Sequence, residues 1–288
     1  MPTITSHDGT AIWYELLGEG PPLVVLPGGP GMDLRYLSDL GGLDRRARLV
    51  VVDARASGRS GVPEDRRTVS FTEQARDVEA VRAHLGLDRI DLLGHSAGCL
   101  TAQEYAAAYP GRVRRLVLVA PVGRVSREPD ESELAALRAR RAGEAWYPDA
   151  AEAHRLIAAG DATGAELAAL HRRITPFFWH HWDDARRAEH RPEHASPHAW
   201  LREAFYAGSA GPATRAARLA RLAAVKAPVL VLAGASDGMI GTAPARAVAA
   251  CYPDARLEVL ERSGHRPWVE EPERFTELVS GFLSEVPG

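Results

Sequence analysis

The sequence has few cysteines, almost no lysine and no long apolar run. Its two cysteines, Cys99 and Cys251, lie far apart in a chain of 288 residues. So few thiols argue against a disulfide framework and are typical of a reducing compartment. Lys226 is the only lysine, and arginine provides the remaining positive side-chain charge. Together with abundant alanine, this bias predicts a GC-rich coding sequence and a bacterial source.

Other absences narrow the class of partner. No apolar run reaches the roughly 20 residues that a membrane-spanning helix needs, and residues 1–15 lack the basic start and apolar core of a signal peptide. We therefore expect a cytoplasmic protein that does not bind a membrane. A net charge of -3 argues against nucleic acid as the main partner. The expected partner is a small-molecule substrate, no cofactor is implied, and the oligomeric state is left open.

What the sequence does contain is an alternation of apolar runs and amphipathic helices. Runs such as 23–26 and 113–119 are apolar almost throughout, which is typical of strands buried on both faces of a parallel sheet. Two β-prone runs at 3–5 and 11–17 flank an Asp-Gly turn and predict an antiparallel edge. The predicted fold class is α/β, with a mostly parallel eight-stranded sheet and helices on both faces.

The alternation stops in the middle of the chain. Residues 123–225 contain several helical runs and no convincing strand. We therefore predict a core formed by residues 1–122 and 226–288, with an inserted all-helical cap at 123–225. Four of the six tryptophans fall in this insertion. An aromatic-rich cap can form an apolar wall for a ligand, although packing among the cap helices explains the same residues.

The strongest motif is the stretch 94–98, Gly-His-Ser-Ala-Gly, which follows an apolar run and precedes a helix-forming run. This is the strand, sharp turn and helix of a nucleophile elbow. The serine of such a turn has a strained backbone, and the glycines on either side avoid collisions with the strand and the helix. We therefore predict that Ser96 is a nucleophile at the carboxyl edge of the sheet.

A second glycine-rich stretch, 27–31, reads Pro-Gly-Gly-Pro-Gly and follows another buried strand. Consecutive glycines at the end of a central strand let backbone N–H groups face a ligand with no Cβ atoms in the way, as an oxyanion hole requires. A tight turn between a strand and a helix would explain the same residues. The stretch is therefore a candidate oxyanion loop.

An acid and a histidine follow the last two predicted strands. Asp237 comes after the strand at 228–234, and His265 comes after the strand at 257–260. Either position alone would also suit an ordinary turn residue. A serine hydroxyl, however, needs a base to accept its proton and a third group to orient that base. The order Ser96, Asp237, His265 is the one expected for a triad built on this elbow.

The predicted cap is also rich in histidine. It includes His180, His181, His190, His194 and His198. The spacing of the last three would place them on one face of a helix, but Pro192 and Pro197 interrupt such a helix. We therefore predict no metal site.

The motifs together resemble those of an α/β-hydrolase with a helical cap, in the proline iminopeptidase-like branch, over essentially the whole chain. The matching stretches are 27–31, 53–60, 94–98, Asp237 and Gly-His-Arg-Pro at 264–267. Two features depart from that branch. Proline stands at position 27, where the branch usually has histidine, and histidine and alanine flank the serine, where true iminopeptidases typically have glycine and tryptophan.

The resemblance implies a role for each residue of the motifs. Ser96 would be the nucleophile, His265 the base and Asp237 the group that orients the base. The backbone N–H groups of Gly29 and Ala97 would form the oxyanion hole. The remaining expected substrate contacts are Gly28, Trp179, Trp182, Asp183 and Trp200. Asp183 is the candidate partner for a free substrate amine, because iminopeptidases bind that amine with acidic residues of the cap.

Three classes of function follow from these observations. The first is a serine hydrolase that cleaves a small ester, lactone, thioester or amide, with aminopeptidase action on an amino-terminal proline as its most specific form. The second is a lyase or cyclase on the same scaffold, because a fold and a triad do not fix the reaction. The third is a ligand receptor without turnover. Complete triad and oxyanion elements favour the first class.

Overall fold

Eight strands form one sheet in the described residues, the number that the sequence predicts. The computed structural model describes residues 2–123, 130–189, 194–207 and 212–285. The strands are β1 (Thr3–Thr5), β2 (Ala11–Leu17), β3 (Pro22–Leu26), β4 (Arg48–Val52), β5 (Ile90–His95), β6 (Val113–Val119), β7 (Val229–Gly234) and β8 (Ala255–Leu260). Across the sheet the strands follow the order β1-β2-β4-β3-β5-β6-β7-β8. β2 pairs antiparallel with β1 and with β4, and every other pair of neighbouring strands is parallel.

Eleven α-helices are present in the described residues, and they fall into two groups. Five pack with the sheet: α1 (Phe71–His84), α2 (Gly98–Ala108), α9 (Ala243–Ala249), α10 (Pro267–Glu270) and α11 (Pro272–Ser284). Six lie between β6 and β7: α3 (Glu131–Ala139), α4 (Tyr147–Ala159), α5 (Gly164–Arg173), α6 (Asp184–Glu189), α7 (Leu201–Tyr206) and α8 (Pro212–Ala223).

The sheet has a hydrophobic core on each face, because successive side chains of a strand point to opposite sides. Val24 of β3 lies in a cluster with Phe71 of α1 and side chains of α2 and α9. The next residue, Val25, lies in a second cluster with Phe275 of α11. Because both faces of the sheet are covered, β3 is apolar at every position.

Helix α1 shows how local sequence fixes the start of an element. The Ser70 side chain accepts a hydrogen bond from the Glu73 N–H at 3.4 Å, as the Ser-x-x-Glu pattern predicts. The apolar residues Ala75, Val78 and Val81 then recur at helical spacing and are buried against the sheet. The cap and the apolar face together pack α1 against α2 on this side of the sheet.

The segment between β6 and β7 is helical, and its described residues contain no strand of the sheet. α4, α5 and the 3-10 turn at Thr175–Phe178 share a small core formed by Ala150, Ala153, Leu170, Ile174 and Phe177. The sequence did not predict the short helices α6, α7, α9 and α10, because elements of four to seven residues show too little periodicity. The boundaries of a cap at 123 and 225 stay a prediction.

The described ranges contain no membrane-spanning helix. None of the helices in those ranges is both long enough and apolar enough to span a bilayer.

Candidate active site

Four loops leave the same edge of the sheet, because the parallel strands that precede them all end there. They follow β3, β5, β7 and β8, and they carry the oxyanion candidates, Ser96, Asp237 and His265. The topology thus brings together residues that are up to 170 positions apart, as in the contact between His95 and His265.

Ser96 occupies a backbone conformation that side chains rarely adopt, with φ at 51°. Its N–H donates to the Val119 carbonyl at 2.8 Å, which fixes the turn against β6. A Cβ atom added at Gly94 would lie 2.9 Å from the Cys99 nitrogen, and one at Gly98 would lie 2.4 Å from the Pro27 carbonyl. Both glycines are therefore needed for the turn, and the local geometry is that of a strained elbow.

His265 and Asp237 form a buried pair at this edge. His265 Nδ1 lies 2.6 Å from Asp237 Oδ2, and the carboxyl side chain is 1% exposed. The other oxygen, Asp237 Oδ1, accepts hydrogen bonds from the Met239 and Ile240 N–H groups, both at 3.0 Å. Because a carboxylate accepts hydrogen bonds, His265 Nδ1 donates to Asp237, and Nε2 is the ring nitrogen left to accept a proton.

The oxyanion candidates lie against the serine. A Cβ at Gly28 would be 2.8 Å from the Ser96 Cβ, so the loop backbone touches the elbow. The Gly28 N–H already donates to the Tyr36 hydroxyl at 2.6 Å. Within the part of the chain that the structure describes, the N–H groups of Gly29 and Ala97 donate no hydrogen bond. Both groups therefore stay candidates to bind an incoming oxygen.

A chain of hydrogen bonds that the sequence did not predict links three of these loops. Tyr36 Oη, which accepts from Gly28, lies 2.6 Å from His95 Nδ1. His95 Nε2 lies 3.0 Å from the His265 carbonyl. A carbonyl oxygen can only accept, so His95 donates its Nε2–H to the His265 carbonyl. His95 Nδ1 then accepts a hydrogen bond from the Tyr36 hydroxyl. His95 appeared in the sequence only as a variable position of the elbow, and no motif marks Tyr36.

Burial decides the charge state of this hydrogen-bonded chain. His95 is enclosed, and burial holds its pKa well below the usual 6.5, with the nearby His265 and Arg266 adding to the shift. Burial likewise raises the pKa of Tyr36. Both side chains are therefore neutral at physiological pH, as the donor and acceptor pattern requires.

The helical segment clamps the loops that carry the acid and the base. The Phe177 carbonyl accepts from the Gly238 N–H at 2.9 Å, and the Phe178 carbonyl accepts from the His265 N–H at 2.6 Å. His180 Nδ1 lies 2.7 Å from Ser236 Oγ. The stretch at 177–180 therefore positions both loops.

Glu270 completes this clamp and was also missed by sequence analysis. One carboxyl oxygen accepts from the His180 and His181 N–H groups at 2.8 and 3.1 Å, and the other accepts from the Gly264 N–H at 2.7 Å. Burial raises the pKa of Glu270, and these three backbone hydrogen bonds oppose that shift. A single side chain thus ties the base loop to the helical segment.

The tryptophans expected to contact substrate occupy different settings. Trp179 is fully buried, and the guanidinium groups of Arg186 and Arg266 lie 5.7 and 5.5 Å from its ring centre. Trp182 and Trp200 are partly exposed. Trp200 stacks on His198, and Trp182 lies beneath Arg187 at 5.8 Å. The structure does not gather the three rings into one ligand wall.

Asp183 lies at an exposed helix start. Its carboxylate accepts from the Arg186 N–H at 2.8 Å in the first turn of α6, and 58% of its side-chain surface is exposed. This is the position of an N-cap residue, for which aspartate is a preferred type. The geometry therefore gives no support to Asp183 as the partner of a buried substrate amine.

The histidines of the helical segment do not form a metal centre in the described residues. No group of three or more histidine, cysteine, aspartate or glutamate side chains in those ranges has the arrangement of a metal site. His194 pairs with Asp33 at 3.1 Å, next to the oxyanion loop. His190 lies outside the described residues.

A mostly parallel sheet with a strained serine turn and an imidazole–carboxylate pair at its carboxyl edge defines the class of α/β hydrolases. A family model described as the alpha/beta hydrolase fold matches residues 21–272. The chain belongs to this family and is a hydrolase.

Curated relatives and solved structures agree with this placement. The chain is 26% identical to a proline iminopeptidase from Clostridium botulinum over 302 residues, covering 99% of this chain and 97% of that protein. It is 28% identical to one from Lactobacillus delbrueckii subsp. lactis, covering 94% of each. The esterase RhEst1 from Rhodococcus sp. ECU1013 matches with a TM-score of 0.68 and 25% identity over the full length of both chains. The enol-lactonase from Burkholderia xenovorans LB400 has a TM-score of 0.65 at 23% identity, covers 99% of this chain and 100% of that chain, and shows the shared fold.

Proposed function

We propose that this hydrolase cleaves small-molecule carboxylic esters through Ser96, His265 and Asp237. The observation that carries the proposal is the hydrogen bond between His95 Nε2 and the His265 carbonyl, at 3.0 Å. It holds the loop of the base against the residue next to Ser96. A nucleophile, a base and an orienting carboxylate are thereby presented at one edge of the sheet.

The first half of the reaction would form an acyl-enzyme. Ser96 Oγ attacks the ester carbonyl carbon while His265 Nε2 accepts the hydroxyl proton. The carbonyl oxygen becomes an oxyanion that the N–H groups of Gly29 and Ala97 stabilise. The intermediate then breaks its bond to the alcohol oxygen, and His265 returns the proton to that oxygen as the alcohol leaves.

The second half would repeat the same steps with water. His265 accepts a proton from the water molecule as its oxygen attacks the acyl carbon, and the bond to Ser96 Oγ breaks with return of the proton to the serine. Asp237 accepts the hydrogen bond from His265 Nδ1 and holds the imidazole in the reactive tautomer in both halves. The products are a carboxylic acid and an alcohol, and the enzyme is regenerated.

A labelling experiment tests the nucleophile directly. A fluorophosphonate probe should attach once to the native protein and not to Ser96→Ala, as measured by intact-mass spectrometry. Ester hydrolysis should fall on the order of 10⁴-fold or more in the same variant. Equal labelling of both proteins would refute the assignment of Ser96. A protein that binds esters without turnover would instead point to the receptor class.

Aminopeptidase action on an amino-terminal proline is the second candidate, and similarity to proline iminopeptidases along nearly the whole chain favours it. It requires a carboxylate opposite the substrate ammonium, because an unpaired buried charge costs several kcal/mol. The exposed position of Asp183 favours the esterase instead. If the peptidase candidate is correct, Asp183→Asn should raise the KM for proline β-naphthylamide about tenfold and leave neutral esters unaffected.

A further inference from the structure

A small cavity lies beside the oxyanion loop and the elbow. Its volume is about 30 Å³, enough for roughly two water molecules. Gly28 and Ala97 form part of its wall, and they are the neighbours of Ser96 in space and along the chain. Val78 of α1 and Leu201 and Phe205 of α7 close it from the other sides.

The cavity and His265 lie on opposite sides of Ser96. The cavity is lined by the loops after β3 and β4, whereas Asp237 and His265 follow β7 and β8. In the sheet, β3 and β4 are on one side of β5, and β7 and β8 are on the other. The leaving alcohol must lie near His265 to receive its proton. The substituent on the carbonyl carbon then points away from His265, toward the cavity.

The wall of the cavity is largely apolar, and Arg55, the cation among its described lining residues, is already paired. Arg55 donates from Nε and Nη2 to the Asp77 carboxylate, both at 2.6 Å. Asp53, a second carboxyl group of the wall, accepts from the Leu34 and Arg59 N–H groups at 2.8 and 2.9 Å. A negatively charged substituent would therefore lose its hydration and gain no free cation.

We infer that this cavity is the acyl subsite of the enzyme and that it selects short acyl groups that carry no negative charge. The inference rests on the proposed ester hydrolysis at Ser96. It adds that the acid part of the substrate is small and apolar, while the alcohol part faces His265. Leu201 and Phe205 set the length of the acyl chain because they close the end of the cavity.

The test measures kcat/KM for p-nitrophenyl acetate, butyrate, hexanoate and octanoate. The native enzyme should prefer acetate or butyrate to octanoate by about tenfold or more, since one misfitting methylene in a pocket already changes the rate about tenfold. A matched pair adds the charge test. After subtraction of the uncatalysed rates, the p-nitrophenyl ester of butanoic acid should be preferred by at least about tenfold to the p-nitrophenyl half ester of butanedioic acid, which has a carboxylate in place of the terminal methyl group.

Variants locate the preference in the cavity. Leu201→Ala should move the preferred chain length toward hexanoate, raising the ratio of hexanoate to acetate about tenfold. Val78→Leu narrows the same cavity and should shift the ratio the other way. Leu170→Ala is the matched control, because it removes the same buried side chain from a helical core that does not line the cavity. The control should leave the ratio unchanged.

The outcomes distinguish a failure of the acyl subsite from a failure of the proposed ester hydrolysis. If Ser96 is labelled and short esters are cleaved, but the chain-length ratio is flat or both variants leave it unchanged, the acyl subsite is wrong and the esterase stands. A native enzyme that prefers the butanedioate half ester also overturns the subsite. If no ester is cleaved and Ser96 is not labelled, the proposed function fails and the subsite fails with it.

Discussion

The hydroxyl of Tyr36 donates to His95 Nδ1 across 2.6 Å, although 59 positions separate the two residues along the chain. This contact belongs to a continuous series of hydrogen bonds. The series joins the candidate oxyanion loop at 27–31, the serine turn at 94–98 and the loop that carries His265. The same hydroxyl accepts from Gly28, and the other nitrogen of His95 donates to the His265 carbonyl. The relative position of the three loops therefore depends on two neutral, buried side chains.

Removal of the Tyr36 hydroxyl should lower both the free energy of unfolding and kcat. In Tyr36→Phe, the Gly28 N–H and His95 Nδ1 lose their partner while buried, at a cost of about 1–3 kcal/mol in the free energy of unfolding. We expect kcat for a short ester to fall more than KM rises. Tyr252→Phe is the control, since the buried Tyr252 hydroxyl has no hydrogen-bond partner in the described residues. Urea unfolding and steady-state kinetics measure both effects, and equal behaviour of the two variants would contradict the prediction.

The neutral state of His95 should make stability depend on pH. Unfolded His95 takes up a proton near its usual pKa of 6.5, whereas burial keeps the folded side chain neutral well below that pH. The unfolded state then binds more protons, so the free energy of unfolding falls as the pH drops below 6.5, by at most about 1.4 kcal/mol per pH unit.

His95→Gln isolates this contribution. Burial also lowers the pKa of His154, His171 and His180, and these residues remain in the variant. Urea unfolding at pH 7.5 and 5.5 should show a smaller loss of stability in His95→Gln than in the native protein. Equal losses in the two proteins would mean that His95 takes up its proton while folded.

The pair of Asp237 and His265 should matter far more for rate than for folding. In Asp237→Asn the amide can hold the imidazole in the wrong tautomer, and ester hydrolysis should fall about 10⁴-fold with an unchanged circular dichroism spectrum. Asp183→Asn, at an exposed helix start, serves as the comparison and should retain native esterase activity. A loss smaller than about tenfold in Asp237→Asn would remove the carboxylate from the mechanism.

Glu270 should act as a positioning residue for the base loop. In Glu270→Gln, an amide oxygen can still accept from His180 and His181, but the opposite NH₂ group cannot accept from Gly264. We expect a loss of about 1–3 kcal/mol in stability and a lower kcat with little change in KM. Glu277→Gln, on the exposed side of α11, is the matched control. If Glu270→Ala keeps native kcat, the clamp has no part in positioning His265.

Much of the fold could be read from the sequence because its signals are local. The apolar runs of β3 and β7 and the largely apolar runs of β5 and β6 predict a sheet covered on both faces, and the structure confirms this. The Gly-x-Ser-x-Gly motif is a local signal as well, although only the collision avoided at Gly94 is with nearby residues, while the one avoided at Gly98 is with Pro27. Short helices such as α6 and α7 escaped prediction because one or two turns carry no periodicity.

The sequence by itself determined the sheet, the serine turn and the strand ends at which Asp237 and His265 stand, because periodicity and backbone strain act over a few neighbouring residues. Only the tertiary structure decided which distant groups support them. Tyr36 reaches His95, and Glu270 binds the N–H groups of His180 and His181 from 90 and 89 positions away. No local pattern encodes such contacts, since they depend on how packed loops meet at the sheet edge. The same packing left Asp183 exposed and placed the small cavity on the far side of Ser96 from His265.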